Sequence, residues 1–374
     1  MRRVLVVFVD ALGPRQSDLL GGSLADLAHR RSLRGILGYS CGALPTILTG
    51  TLPRAHGRMC TFRRAEGDSV LRPLRWLGLL PSLLHERGPV RRAAVRALRR
   101  RAAIEGYLDL YKIPPSELAW LDVAEREDLF QADAIGGQRS FLADARAAGL
   151  RVDASPWQLP EDVRWDEALQ RAARSPADLT FLYATQLDGV MHRHGTRGPE
   201  ATRAARAVAT RIAHARDLLS RGAELTTFVV GDHGMADVTR TADPRPVVEG
   251  TGVRAFVDST FLRVWGDAAS LAKARGRFLA HDVPGKWLDR DDLAVRGAPV
   301  DGSPYGDAVA VLDEGVVFSP SFVGGVPRGM HGYDVASASA SAALLSDAPL
   351  PSSLASLADV APAVRSALGL GGGA

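Results

Sequence analysis

Only two cysteines, Cys41 and Cys60, occur in 374 residues. That is too few for a disulfide framework or a four-cysteine zinc site. Lysine is almost as scarce. Lys112, Lys273 and Lys286 are the three lysines among 46 basic residues, so 43 are arginine. Arginine on that scale beside abundant alanine reads as a GC-rich genome rather than a function. No excess of one charge exists either. With 42 acidic residues the net charge is +4, too balanced to imply a stable nucleic-acid complex. No apolar run reaches the ~18–20 residues of a membrane helix, so no transmembrane segment is expected. The opening MRRVLVVFVD mimics a signal peptide. Its apolar run stops after about seven residues, on Asp10, and lacks a small-residue cleavage site. The expectation is a cytoplasmic chain without a targeting segment.

What is present can build a core. The chain is 46% hydrophobic and 24% charged, which excludes disorder. Length alone allows two to three domains. Residues 4–9 (VLVVFV), 179–183 (LTFLY) and 226–230 (TTFVV) are β-rich runs of the kind buried on both faces of a sheet. Helical stretches at 137–148 and 200–220 flank them. This alternation predicts an α/β fold with a largely parallel sheet, whose sites form at the carboxyl ends of strands. Each run is followed by acidic or histidine residues: Asp10, then Asp188 and His192, then Asp232 and His233.

Two segments read differently. Residues 71–84 (LRPLRWLGLLPSLL) and 91–103 (RRAAVRALRRRAA) suggest a helical insertion over 63–135. It reads as a packed cap with a solvated arginine face, or as a lid for an amphipathic phosphate. Residues 250–315 carry short strand-like pieces and turns, expected to form a smaller α+β insertion. The tail GLGGGA is expected to fray.

The chemistry-bearing clusters are few. In LDGVMHRHG, Asp188 and His192 stand four apart, so one turn of helix or a tight loop lets both side chains face the same point. In GDHGM, Asp232 and His233 leave a strand between glycines. RGMHGYD adds His331. Carboxylates with imidazoles suit zinc or a similar divalent ion. In GYSCGALPTILTGTLPRAHG (38–57), Ser40 falls at a helix start near residue 41. There it is either an ordinary N-cap or a nucleophile beside the free N–H groups.

Taken in order, Asp10, Ser40 with Thr49-Gly50 and the Pro53–Gly57 turn, Asp188…His192…His194-Gly195, Asp232-His233-Gly234-Met235 and His331-Gly332-Tyr333-Asp334 resemble the alkaline phosphatase superfamily. The branch resembled is the nucleotide pyrophosphatase/phosphodiesterases. The resemblance spans residues 4–62, 175–245 and 300–370, including the SLADVAPAVRSALGL closing helix. Counted back from Thr49-Gly50, the family nucleophile falls on Ser40. A sulfatase would carry cysteine there in a C-x-P-x-R context, which Cys41 lacks.

The resemblance implies a three-layer α/β/α sandwich with inserted cap segments. It also implies one catalytic domain over residues 1–374. Asp10, Ser40, Asp232 and His233 would surround one metal, and Asp188, His192 and His331 the other, zinc being the first expectation. Two such ions ~4 Å apart clamp the entering and leaving oxygens of an in-line displacement. Ser40 would attack phosphorus and form a phosphoseryl intermediate. The expected activity is phosphodiester or pyrophosphate cleavage of a small phosphate ester or nucleotide-like substrate. Phosphomonoester hydrolysis or phosphoryl transfer is the alternative, and a non-catalytic metal-binding scaffold is the alternative of another class. His194 would support the site from behind and His56 would pack a turn. His29, His85, His214 and His281 read as surface or core residues. One departure stands out. Relatives carry Thr-Phe-Pro-Asn at the nucleophile, and this chain has Ser40-Cys41-Gly42-Ala43, without the asparagine that would hold a phosphoryl oxygen. Oligomeric state is not legible.

Overall fold

The computed structural model describes residues 2–81 and 87–370. His85, residues 82–84 of the apolar stretch and residues 371–374 of the tail lie outside them. Six strands build the central sheet: β1 (Arg2–Val9), β2 (His29–Leu33), β3 (Val152–Ala154), β4 (Leu179–Ala184), β5 (Glu224–Val230) and β6 (Ala342–Ser346). Their order is β2-β6-β5-β1-β4-β3. β1 pairs parallel to β4 and β5, and β3 parallel to β4. β6 pairs antiparallel to both β5 and β2, so it alone runs against the other five.

Six helices matter to the layers: α1 (Ser40–Thr49), α2 (Phe141–Ala147), α3 (Glu161–Arg174), α4 (Gln186–His194), α5 (Pro199–Ser220) and α6 (Val360–Ala367). Every residue of β1 from Val4 to Val9 is buried. Alternate residues face opposite layers, as the period of two requires. Leu5, Val7 and Val9 pack with α3, α4 and α5 through Trp165, Met191 and Ile212. Val4, Val6 and Phe8 pack with α1, α2 and α6 through Ile47, Phe141 and Val364. The result is the three-layer α/β/α sandwich.

One sequence expectation needs adjusting, and one strand carried no signal at all. The 137–148 stretch is not one helix. Residues 134–139 form a hairpin whose turn, Gly136-Gly137, has φ values of +56° and +79°. Those angles are nearly free for glycine and strained for other residues. Helix α2 starts only after Ser140, whose side chain accepts the Ala143 N–H. Strand β2 (HRRSL) carries no hydrophobic signature, because it lies at the sheet edge with its middle exposed.

The stretch between α1 and α2 holds a 3-10 helix at Arg72–Leu79 and an α-helix at Gly88–Ala102. Its strands Phe62–Arg64 and Leu121–Val123 pair antiparallel. Residues 254–312 contain a separate four-stranded antiparallel sheet flanked by helices Ala268–Ala280 and Arg290–Val295. These two regions share a core. Leu74, Leu98 and Leu121 pack in one cluster with Phe256 and Trp265. Among the described residues no helix is long and apolar enough to cross a membrane.

Candidate active site

The site forms where β1, β4 and β5 end, as parallel sheets dictate. Asp10 follows β1, and its N–H donates to the Ala184 carbonyl at the end of β4, 2.8 Å away. Ala11 comes next at φ +62°, a left-handed conformation that costs a non-glycine residue ~1–2 kcal/mol. That turn aims the Ala11 N–H at Asp232 Oδ1, 3.1 Å away. The His233 N–H takes the same oxygen at 3.0 Å. Asp232 Oδ2 is left for other use.

His233 is set by its far side. Its Nδ1 lies 2.8 Å from the Gly234 carbonyl and must donate to it, so Nε2 carries the free lone pair. Nε2 sits 3.0 Å from Ser40 Oγ, 3.2 Å from Asp232 Oδ2 and 3.5 Å from Asp10 Oδ1. Ser40 is the first residue of α1. Tyr39 is the N-cap and makes no side-chain cap bond. The ordinary-cap reading of Ser40 therefore fails, and its hydroxyl turns to His233. Tyr39 anchors this helix start to the second sheet, with its hydroxyl 2.8 Å from Thr260 Oγ1.

The second group sits on α4 and the 328–334 loop. His192 Nδ1 donates to the Gly329 carbonyl at 2.8 Å, and its Nε2 lies 3.2 Å from Asp188 Oδ1. His331 Nε2 lies 3.7 Å from the same oxygen. Gly332 follows at φ +80°, and a Cβ there would come within 2.4 Å of the Tyr39 ring. The His331 and His233 rings stack at 3.7 Å and 10°, joining the two groups into one cluster. In each triad, Asp10/Asp232/His233 and Asp188/His192/His331, the candidate ligand atoms lie within 4.8 Å of one another.

This donor set fits cations. Asp10 Oδ1, Asp188 Oδ1 and Asp232 Oδ2 are buried without a hydrogen-bond partner. Burying unpaired carboxylates is costly enough that such oxygens are normally paired or coordinate a metal. Burial, then the facing charges of Asp232 and Asp188, push the Asp10 carboxyl well above its usual range. Burial, then His233 and His192, hold His331 well below its usual value, in the neutral form that a ligand needs. Burial also opposes charging of His192 and His233, but Asp188 and Asp232 respectively outweigh it, so both are raised.

Beside the cluster opens a cavity of about 630 Å³. Ser40, Asp10, Asp188, His192 and His331 line one part of it, and aromatic residues of the insert line another. Arg164 also lines it, but its guanidinium is spent on the carbonyls of Tyr183, Trp157 and Leu159, on Thr185 Oγ1 and on Glu161 Oε2. Glu161 Oε2 in turn accepts the N–H groups of Thr185 (2.6 Å) and Gln186 (2.8 Å), which start α4. Burial pushes the Cys41 thiol up to about 12.

Sequence reasoning had no signal for Tyr39, Glu161 or Arg164, whose roles come from contacts across the fold. His194 does not support the site: it is exposed on the last turn of α4. Arg193 and Arg328 are exposed as well. His56 is buried, with Nε2 3.0 Å from Thr46 Oγ1 and Nδ1 accepting the Arg58 N–H.

The fold and the metal-competent cluster define a hydrolase of the alkaline phosphatase type. The sequence profile of the type I phosphodiesterase / nucleotide pyrophosphatase family matches residues 39–334. The chain belongs to that family and is a phosphodiesterase-class hydrolase. By sequence it matches no curated protein. In structure it is similar to murine ectonucleotide pyrophosphatase/phosphodiesterase 5, with a TM-score of 0.71 and 15% identity over 98% of this chain and 95% of that one. The human counterpart gives 0.68 and 14%, over 98% and 95%. An inactive form of the murine protein in complex with AMP gives 0.69 and 15%, over 99% and 96%.

Proposed function

We propose that this chain cleaves phosphodiester or pyrophosphate bonds of a nucleotide-like substrate at two divalent metal ions, zinc in the first instance, through a phosphoseryl intermediate. One observation carries the reading: three buried carboxylate oxygens without a hydrogen-bond partner face the imidazoles of His233, His192 and His331, and His233 Nε2 lies 3.0 Å from Ser40 Oγ. Asp10, Asp232 and His233 would hold one ion, and Asp188, His192 and His331 the other. Bound there, such ions supply Lewis-acid stabilisation of charge on phosphoryl and hydroxyl oxygens.

The protein's own groups do the rest. Ser40 Oγ is the nucleophile. As it loses its proton to solvent and forms the new O–P bond, the P–O bond to the leaving alcohol or phosphate breaks. That group departs into the cavity, leaving the other substituent on the phosphoserine. Water then cleaves the Ser40 O–P bond and releases the monoester. Ser40 is the first residue of α1, where the helix N-terminus favours developing negative charge on the attacking oxygen and the phosphoryl group. Gly234 and Gly329 carbonyls fix the His233 and His192 tautomers, so neither ring can rotate its free nitrogen away. The cavity receives the organic groups, and the water that hydrolyses the phosphoserine enters by it. A diester suits this site better than a monoester. A monoester dianion calls for a further cation, and among the described residues the one guanidinium on the cavity lining, Arg164, is already saturated. The AMP bound by the murine relative supports a nucleotide substrate.

The test is a comparison of bis(p-nitrophenyl) phosphate with p-nitrophenyl phosphate on zinc-loaded protein. The diester should have a kcat/KM about tenfold higher, equal to ~1.4 kcal/mol of differential transition-state binding. Acid-quenched turnover of the diester should leave a p-nitrophenyl-phosphoryl group on Ser40, one p-nitrophenol having departed, and Ser40→Ala should abolish both turnover and labelling. Near-normal turnover in Ser40→Ala overturns the mechanism. A clear monoester preference overturns the substrate class.

A further inference from the structure

The cavity wall facing the metal-competent cluster is supplied by the insert, and one residue there has no role in the chemistry above. Glu125 is 7% exposed and lines the cavity. The chain at Gly106 presses on it so closely that a Cβ at that position would lie 2.6 Å from Glu125 Cγ. Its Oε1 accepts the Tyr107 N–H at 2.9 Å. Among the described residues its Oε2 has no hydrogen-bond partner.

The surroundings are aromatic. Tyr107 and Tyr111 share a hydroxyl–hydroxyl bond of 3.0 Å. The Tyr107 ring lies 6.2 Å from Trp157, and Tyr111 lies 6.4 Å from Phe62. All four line the same cavity. The charges facing Glu125 are otherwise engaged. Arg58 is ion-paired with Glu127. Asp128 accepts the Phe130 N–H and a Gln158 amide. Asp258, on the cavity wall, is paired with the buried Arg263 at 2.7 Å. Among the described residues this end of the cavity therefore offers ring faces and one uncommitted carboxylate oxygen, and no uncommitted cation. It repels a second phosphate and suits a flat group with a hydrogen-bond donor.

Resting on the phosphodiesterase reading, we propose that Glu125 is a specificity-determining residue: it accepts a hydrogen bond from an amino group on a planar ring of the substrate, of the aminopurine or aminopyrimidine class, set among the aromatic side chains of the insert. Substrates lacking that donor leave the cavity-facing oxygen unpaired once the ring has displaced water, which is how a polar pocket rejects them. The charge state fits. Burial pushes the Glu125 carboxyl up to about 7, against the Tyr107 N–H and Arg58, which pull it down, and with Glu127 and Asp128, which push it further up. Discrimination for the amino group thus strengthens as pH rises through that value, because the carboxylate is the better acceptor.

The experiment is calorimetric and needs no turnover. Zinc-loaded protein is titrated with AMP and with purine riboside 5′-phosphate, which lacks only the amino group. The unmutated chain should bind AMP about 10- to 100-fold more tightly. Glu125→Gln, which keeps an oxygen for the Tyr107 N–H but adds donors, should bring that ratio to within about twofold. Should Glu125→Gln fail to fold, the unmutated chain decides: the ratio should rise between about pH 6 and pH 8. Equal binding of the two ligands, a ratio unchanged in Glu125→Gln, or a ratio flat across that pH range overturns the proposal. Failure of the unmutated chain to cleave bis(p-nitrophenyl) phosphate would instead sink the phosphodiesterase reading, and the two ligands would still decide Glu125.

Discussion

Truncating Glu161 to alanine should destabilise the protein and weaken one metal site together. Glu161 and Arg164 form an ion pair at 3.4 Å, with side chains only 9% and 5% exposed. The same Glu161 oxygen accepts the Thr185 and Gln186 N–H groups and the Thr185 hydroxyl. Its removal leaves a buried guanidinium without its counter-charge and two backbone donors without an acceptor. Breaking a buried pair costs ~3–5 kcal/mol. Arg164 keeps four neutral acceptors, so the lower end applies, ~3 kcal/mol. The melting entropy of a chain this long is about 0.8 kcal/mol/K, so Tm should fall by about 4 °C. Asp188 sits on the first turn of α4, so zinc affinity at its triad should drop by about 10-fold, the scale for groups that orient ligands. Urea unfolding with an unchanged slope, alongside zinc titration, measures both. Glu161→Gln should recover part of the capping but not the charge. A stability loss under ~1 kcal/mol with unaltered zinc affinity would refute the claim that this pair positions α4.

Further outcomes follow from the same contacts. Cys41→Ser should retain turnover, and iodoacetamide should not inactivate at neutral pH, because burial holds the thiol near 12 and so uncharged. Inactivation by alkylation on the timescale of an exposed thiol would show the reverse. His56 should make the protein acid-sensitive. Burial, then Arg58, lower it from 6.5 to about 3, so the unfolded chain binds a proton that the folded chain refuses. Stability is then complete above about pH 6.5 and falls by ~1.4 kcal/mol per unit down towards pH 3. His56→Gln should flatten that slope in acid denaturation, and an identical slope would exclude His56 as its source.

Much of this was legible in the sequence. The strands that end just before Asp10 and Asp232 are buried on both faces, so they read as unbroken apolar runs followed by acids, and the strand Leu179–Ala184 leads into the helix that carries Asp188. The Asp188–His192 spacing suited a helical turn or a tight loop alike, and the fold makes it a helix. Ser40 at a helix start was visible, though its freedom from a capping role was not, because that depends on Tyr39 being tied to Thr260. β2 stayed hidden because an edge strand needs no apolar face, and the hairpin before α2 because its alanine-rich flank mimics helix. Glu125, Glu161 and Arg164 were invisible for one reason. Each acts through partners distant in sequence, such as Arg164 with Tyr183 or Glu161 with Gln186, and no local pattern marks such pairs. The insert's core with Phe256 and Trp265 was unreadable on the same ground.

The central claim is that two triads each hold a metal ion. Elemental analysis of zinc-dialysed protein should find about two ions per chain. Asp188→Ala should retain about one, since the Asp10/Asp232/His233 triad remains intact. Protein that binds no transition metal, and regains no activity with zinc or manganese, would contradict the account.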